Sequence, residues 1–381
     1  MIGQLAYRAA LGVATVTTAV VVAITQALPA PAEAPAPVST PGSVTAVESL
    51  PTSSWIPGAT TGTKITYVTT GPLGRSATST GAVFLPPGDA PPGGWPVVSW
   101  AHGTVGIADR CSPTVTGKIG GPYLAHWLSQ GYAIVATDYV GLGTPGLHPY
   151  LDGPTEANSV IDMVRAARAV EPALSPRWVA LGQSQGGQAA LFTAARATRY
   201  APELDYRGAV ATGAPSNLEN LTTLVRPGFP RLPLTGSTVF VSYILAGLRA
   251  ARPDVDVDRF LTPVGRDALT GAETECYETM APKLADVSIG DLVSRPLDDP
   301  ALLAAVHDML AVPTAGYDRP VFLGQGLTDD MVPAPLALKL AADLAANRQP
   351  VTFRTYPTGH LETMRASLPD TTSFVRDLFD R

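Results

Sequence analysis

The chain has 381 residues, of which 45% are hydrophobic and 15% charged, and its net charge is −6. That length and apolar content describe a globular chain with a large core and exclude a disordered one. The mild acidity and the lack of any Lys/Arg cluster argue against a nucleic-acid partner.

In chain order, the first segment is MIGQLAYRAALGVATVTTAVVVAITQA, residues 1–27. One arginine, Arg8, precedes an uncharged run that ends in small residues, the pattern of a signal peptide with Thr25-Gln26-Ala27 at the cleavage site. An uncleaved anchor is the alternative. The run is near the short limit for a bilayer, however, and Thr15, Thr17, Thr18 and Thr25 dilute it. Secretion is therefore expected. Residues 28–45 are rich in proline and alanine. Proline fixes φ and removes a backbone donor, so this stretch reads as an extended, solvated linker. Residues 46–381 form the expected folded domain.

Within that domain, KITYVTT and GAVFLPPG read as two antiparallel strands. WPVVSWAHG, YAIVATDYVG, WVALGQS, GAVATGAP, PVFLGQGLTD and VTFRTYPTGH read as buried strands, because their apolar runs are too continuous for a half-exposed sheet. Helical patterns separate most of them. EANSVIDMVRAARAV places Val160, Met163, Val164, Ala167 and Val170 on one face, and QAALFTAARATRY and PLALKLAADLAAN repeat the period. The alternation predicts an α/β fold: a mostly parallel central sheet with helices on both faces. From about Ser216 to Gly316 the rhythm stops. This proline-rich interval holds the helical segments VFVSYILAGLRA and PALLAAVHDML. It reads as a helical cap inserted over the C-terminal edge of the sheet. A separately packed domain is the alternative, and the strand pattern resuming at Val321 favours the insertion.

The chemistry centres on VALGQSQGGQAAL. Gly182-Gln183-Ser184-Gln185-Gly186 fits G-x-S-x-G, placed after a strand and before a helix. A serine with an exposed Oγ on such a sharp turn cannot have bulky neighbours two positions away, hence the glycines. Gly187 allows close packing of the helix on the sheet. A serine nucleophile needs a base, and the base needs an orienting acid. In this architecture the order is Ser, acid, His. Of the five histidines, His102, His126 and His148 precede Ser184, and His307 lies in a helical pattern of the insertion. His360, in YPTGHLE beyond the last strand, is the base by order. The acid comes from GQGLTDDMVP. Asp329 is preferred for its spacing to Val332 and Pro333, which leaves Asp330 solvated or capping the next helix. Oxyanion donors are expected from the N–H of Gln185 and from Gly103 or Thr104 in SWAHGTVG, with His102 positioning that loop. Asp138, Tyr139 and Gly141 are expected to shape the floor. The two cysteines, Cys111 and Cys276, suggest a disulfide in an exported chain, with two buried thiols as the alternative. Without a nearby histidine cluster they make no zinc site.

These residues carry a family resemblance. SWAHGTVGIADRC, DYVGLGTPGLHPYL, GQSQGGQAAL, GQGLTDDMVP and YPTGHLE resemble the secretory lipases of fungi and actinobacteria, the group that includes the fungal lipase A type. The matching stretches run from Ser99 to Glu362. The resemblance implies an α/β-hydrolase core with a helical cap, secretion, and hydrolysis of carboxylic esters by a triad of Ser184, Asp329 and His360. It also implies a cysteine after the oxyanion loop, matched here by Cys111, and pairing with a cap cysteine fits Cys276.

The expected reaction is acyl transfer through an acyl-enzyme, with no metal or organic cofactor. The expected substrate is a small-molecule or lipid ester of the acylglycerol type, making the chain a triacylglycerol lipase or carboxylesterase. Acyl-chain length, the alcohol part and oligomeric state are not legible. Thr238–Leu248 reads as an acyl tunnel, a lid, or simply the core face of a cap helix. Contact with a lipid interface has no sequence signal beyond the N-terminal segment. Two rivals stand. One is a peptidase on the same fold, for which GAETECYETM offers acidic residues. The other is a catalytically silent exported binding protein.

Overall fold

The computed structural model describes residues 40–380 together with Gly12, Ala14 and Thr15. The expected signal peptide and most of the expected linker lie outside the described residues. Nine strands form one sheet: β1 (Val44–Ser49), β2 (Thr61–Thr70), β3 (Ser76–Leu85), β4 (Trp95–Ala101), β5 (Ala133–Thr137), β6 (Leu174–Gln183), β7 (Asp205–Thr212), β8 (Val321–Gly326) and β9 (Val351–Tyr356). Their spatial order is β1-β2-β3-β5-β4-β6-β7-β8-β9. The pairs β1–β2, β2–β3 and β3–β5 are antiparallel, and every pair from β5 through β9 is parallel.

Twelve helices accompany the sheet among the described residues: α1 (Pro113–Thr116), α2 (Gly121–Ser129), α3 (Gly153–Val170), α4 (Gln185–Tyr200), α5 (Ser237–Ala251), α6 (Pro263–Ala272), α7 (Tyr277–Lys283), α8 (Ile289–Leu292), α9 (Pro300–Leu310), α10 (Ala334–Ala346), α11 (His360–Ala366) and α12 (Leu368–Asp380). None is long and apolar enough to cross a membrane.

The sheet's two faces follow from the alternation of side chains along each strand. Val97, Trp178 and Ala180 point to one side, where Val160 and Val164 of α3, Leu191 of α4 and Leu340 of α10 meet them. Val98, Trp100, Val179 and Leu181 point to the other, against Leu124 and Trp127 of α2 and Val375 and Leu378 of α12. β5 and β8 are buried at every position. A parallel strand covered on both faces requires this.

Two strands depart from expectation. β9 is half-buried to exposed along its length, not buried, because it pairs only with β8 and forms the sheet's edge. β1 begins at Val44, inside the segment expected to be linker. Its Val44, Ala46 and Val47 pair along β2, with Glu48 opposite Lys64 and Thr45 at an irregularity in the register. It is mostly exposed, so no apolar run announced it.

Between β7 and β8 the chain forms α5 to α9. Their apolar faces make a cluster of their own, including Tyr243, Leu248, Phe260, Leu269, Leu292, Leu302 and Val306. A disulfide joins Cys111 to Cys276 across 165 residues, with the Cα atoms 5.5 Å apart. Beside it, Gly106 bridges Cys276, and the Tyr277 N–H donates to the Val105 carbonyl at 3.0 Å. The insertion is thereby stitched to the loop that follows β4.

Candidate active site

β6 ends at Gln183 and α4 starts at Gln185, leaving Ser184 alone on the turn with φ 58° and ψ −124°. A non-glycine residue with positive φ is strained and persists only where its surroundings impose it. The flanking glycines are the imposition. A Cβ on Gly182 would fall on the carbonyl oxygen of Gly186, and one on Gly186 would fall on that of Ala101. Both obstacles are backbone and cannot swing aside. A Cβ on Gly187 would meet the Thr212 carbonyl oxygen at 2.9 Å, so this glycine lets α4 lie close to β7. The Ser184 N–H donates to the same Thr212 carbonyl at 2.9 Å.

His360 is the first residue of α11, just beyond β9, and is buried. Its Nδ1 lies 2.7 Å from Oδ2 of Asp329. Asp329 leaves the end of β8 and is buried with all its acceptor capacity engaged. Oδ1 accepts the Met331 and Val332 N–H groups at 3.0 and 2.8 Å, and Oδ2 also accepts from Gln325 Nε2 at 3.1 Å. Next to Thr212, Gly213 has φ 56°, and a Cβ there would lie 3.0 Å from Cε1 of His360. The Thr212–Gly213 step therefore brings Ser184 and His360 to one place: its carbonyl holds the serine and its missing side chain admits the imidazole.

Asp330 is exposed and makes a different contact. Its carboxylate accepts from Thr235 Oγ1 at 2.6 Å, and its carbonyl accepts from the Thr235 N–H at 2.9 Å. It does not cap the following helix, because α10 starts four residues later with Pro333 at the N-cap position and no side-chain cap.

On the side of the expected oxyanion donors, Gly103 follows β4, and a Cβ on it would stand 3.6 Å from the Ser184 Cβ. Thr104 Oγ1 lies 2.6 Å from the Tyr150 hydroxyl. Gln185 opens α4, so its N–H has no acceptor one turn earlier in the helix. His102 is buried, with Nδ1 2.7 Å from the Gly103 carbonyl and Nε2 3.3 Å from that of Asp138. Burial pushes its pKa down, which keeps the ring neutral and suits a residue that holds the loop. Beneath it, Asp138 accepts from Thr80 Oγ1 at 2.7 Å and from the N–H and Oγ1 of Thr114, tying β3 to α1. Tyr139, at φ 70°, donates its hydroxyl to the His102 carbonyl at 3.0 Å. Gly141 also has positive φ, at 77°. Of the remaining histidines, His126 bonds Thr372 at 2.8 Å and His307 is exposed on α9.

A cavity of about 380 Å³ opens from Ser184. Leu218, Leu221, Leu224 and Phe229 line it before α5, and Met331 and Leu336 close the far side. Among the described residues, no charged one lines it. Within α5, Phe240, Val241 and Ile244 face the cavity, whereas Val239, Tyr243 and Ala246 turn into the insertion's own core. The helix therefore presents one face to the cavity and another to the insertion's core. Gln325 and Gly213 were not singled out by sequence, since nothing in the residue types marks a glutamine that bonds Asp329 or a glycine that meets His360.

The profile of the secretory lipase family matches residues 110–381. Lipase A of Moesziomyces aphidis is 25% identical over 281 residues, covering 70% of this chain and 58% of that protein. A secreted triacylglycerol lipase of Malassezia globosa is 26% identical, covering 60% and 51%. The chain thus spans about half the length of these fungal relatives. A probable inactive lipase of Mycobacterium tuberculosis is 25% identical over 351 residues, covering 85% and 75%. Among solved structures, Candida antarctica lipase A in its closed state superposes with a TM-score of 0.73 at 21% identity, covering 90% of this chain and 83% of that one. The rice cell wall degrading esterase LipA of Xanthomonas oryzae gives 0.71 at 21% identity, covering 89% and 98%. With an α/β-hydrolase fold and a family profile matched over most of its length, the chain belongs to the secretory lipase family.

Proposed function

We propose that the chain is an exported serine hydrolase that cleaves carboxylic esters bearing a hydrocarbon acyl chain, with Ser184 as nucleophile, His360 as base and Asp329 as orienting acid. One observation carries this reading: a strained serine stands at the end of an uncharged cavity walled by leucine, phenylalanine and valine. With Nδ1–H donating to Asp329, Nε2 of His360 carries the lone pair that takes the Ser184 proton. Oγ attacks the ester carbonyl, and the N–H groups of Gln185 and of Gly103 or Thr104 receive the developing oxyanion. His360 then protonates the departing alcohol, and water repeats the sequence on the acyl-enzyme.

The peptidase reading needs a carboxylate to hold a free amino terminus, and the cavity has none. The acidic residues of GAETECYETM are engaged elsewhere: Glu273 with Arg249, Glu275 with Lys283 and Glu278 with Lys118. The silent reading is kept alive by the relative named as a probable inactive lipase. Labelling with a fluorophosphonate decides it. Modification of the wild type that is lost in Ser184→Ala supports a working nucleophile, and an unlabelled wild type refutes one. Ester turnover without cleavage of aminoacyl amides disposes of the peptidase.

Export by a signal peptide in residues 1–27, a linker to residue 45 and a catalytic domain capped by residues 216–316 belong to the same proposal. The family's secretory character supports it. The Mycobacterium tuberculosis relative, matched over 85% of this chain, supports an actinobacterial placement. Leu221 and Leu224, exposed at the cavity, support contact with a lipid surface.

A further inference from the structure

The triad leaves one buried acid beside the elbow unused. Glu156 lies on α3 with no exposed surface, and among the described residues no lysine or arginine bonds to it. Its Oε1 accepts the Leu151 N–H at 2.9 Å and an N–H of Gln185 Nε2 at 2.7 Å. The other Nε2 hydrogen of Gln185 is directed at His148 Nε2, 2.8 Å away. His148 donates Nδ1–H to the Val140 carbonyl at 2.8 Å, which leaves Nε2 with the lone pair needed to accept. Both amide hydrogens of Gln185 are therefore used, while its Oε1 and the Oε2 of Glu156 have no partner among the described residues.

The network reaches the other half of the oxyanion site as well. The His148 ring stacks on Tyr139, with centroids 5.6 Å apart and planes 11° from parallel. The Tyr139 hydroxyl donates to the carbonyl of His102, the residue before Gly103. Gln185 is thus held by its side chain and Gly103 through its neighbour, by one connected set of buried polar groups.

We infer that Glu156 is a positioning residue for the oxyanion hole. It fixes Gln185 and so aims the backbone N–H that meets the developing negative charge. The inference rests on the ester-hydrolase reading of the site. A group that acts by aiming such a donor affects the transition state more than the bound substrate, so its loss appears in kcat and not in KM. Removing one oxyanion donor typically costs about a hundredfold to a thousandfold. Misaiming it costs part of that.

The test uses the full-length protein and the variants Glu156→Leu, Glu156→Gln, Gln185→Leu and the Glu156→Leu/Gln185→Leu pair. Rates on a p-nitrophenyl ester are normalised to sites titrated by fluorophosphonate, and thermal unfolding is followed in parallel. Glu156→Leu and Gln185→Leu should each lower kcat by about 10- to 100-fold with KM within about twofold. Glu156→Gln should recover most of the loss, because its amide oxygen can accept from the same two donors. The pair should be no slower than the slower single variant, since both changes break one link. Wild-type kcat per titrated site in Glu156→Leu, however low its unfolding temperature, would reduce Glu156 to a core residue and overturn the inference. If Glu156→Leu does not fold, an unchanged kcat in Gln185→Leu overturns it equally. A wild-type protein that hydrolyses no ester is the separate signature of failure of the hydrolase reading.

Discussion

Asp152 carries a stability cost that pH can remove. It caps α3, accepting from the Thr155 N–H and hydroxyl, yet burial lifts its pKa from 3.8 to about 6. The folded state therefore holds this proton more tightly than the unfolded chain does. The cost is absent below pH 4, grows as pH rises through the interval, and is fully present above about 6. Asp152→Asn keeps a capping oxygen without the charge. It should raise stability at pH 7.5 by on the order of 1–3 kcal/mol and leave stability at pH 4 unchanged, as read by urea unfolding at the two pH values. Gly186→Ala is the opposite kind of change. Its Cβ falls on the Ala101 carbonyl, so β4 and the elbow cannot both keep their places. This variant should lose several kcal/mol or fail to yield folded protein, by circular dichroism and expression yield. Glycine spacing and chain order alone single out Ser184 and His360 as candidates. Gln325 and Gly213 are not singled out, because the first acts through the fold of the loop after β8 and the second through a contact with a residue 147 positions away.

Among the elements, those with a strong apolar period were legible and those at the margins were not. The buried strands β4 to β8 and helices α3, α4 and α10 wrote their burial into the sequence as continuous runs or a 3.6-residue stripe. The edge strands β1 and β9 carry polar residues on their open sides, so the start of the first reads as linker and the second reads as a buried strand. The segment between Asn217 and Thr235 lines the cavity. Asn217 is anchored by a bond from its amide to the Leu336 carbonyl at 3.1 Å, and Thr235 is anchored to Asp330. Between these anchors, Leu221 and Leu224 are 41% and 53% exposed while also lining the cavity. Leucines placed so serve a lipid surface better than water. Leu221→Asp with Leu224→Asp should cut activity on an emulsified long-chain ester at least tenfold. Activity on a soluble short-chain ester should stay within about threefold. Equal losses on both would show that the leucines serve the site itself and not the surface.

At the scale of the whole molecule, the helical insertion is held against two loops of the site. The Cys111–Cys276 disulfide and the Gly106–Cys276 bridge fasten it to the loop after β4, and Thr235 fastens it to the loop after β8 at Asp330. Closing a loop of 165 residues removes much of the unfolded chain's freedom. The double change Cys111→Ser/Cys276→Ser should lower stability by about 2–5 kcal/mol, measured by denaturant titration. An unchanged midpoint would mean that the insertion's own apolar cluster suffices. The insertion's interior was the least legible part of the chain. Its helices pack on one another, and no sheet imposes a period on them.

The central claim is that Ser184 turns over esters whose acyl chain lies in the apolar cavity. The most direct test is hydrolysis of p-nitrophenyl esters of increasing chain length by the purified wild type and Ser184→Ala. The account predicts turnover that extends to long chains in the wild type and is lost in a folded Ser184→Ala protein. Equal hydrolysis by both proteins, or none by the wild type at any chain length, would contradict it.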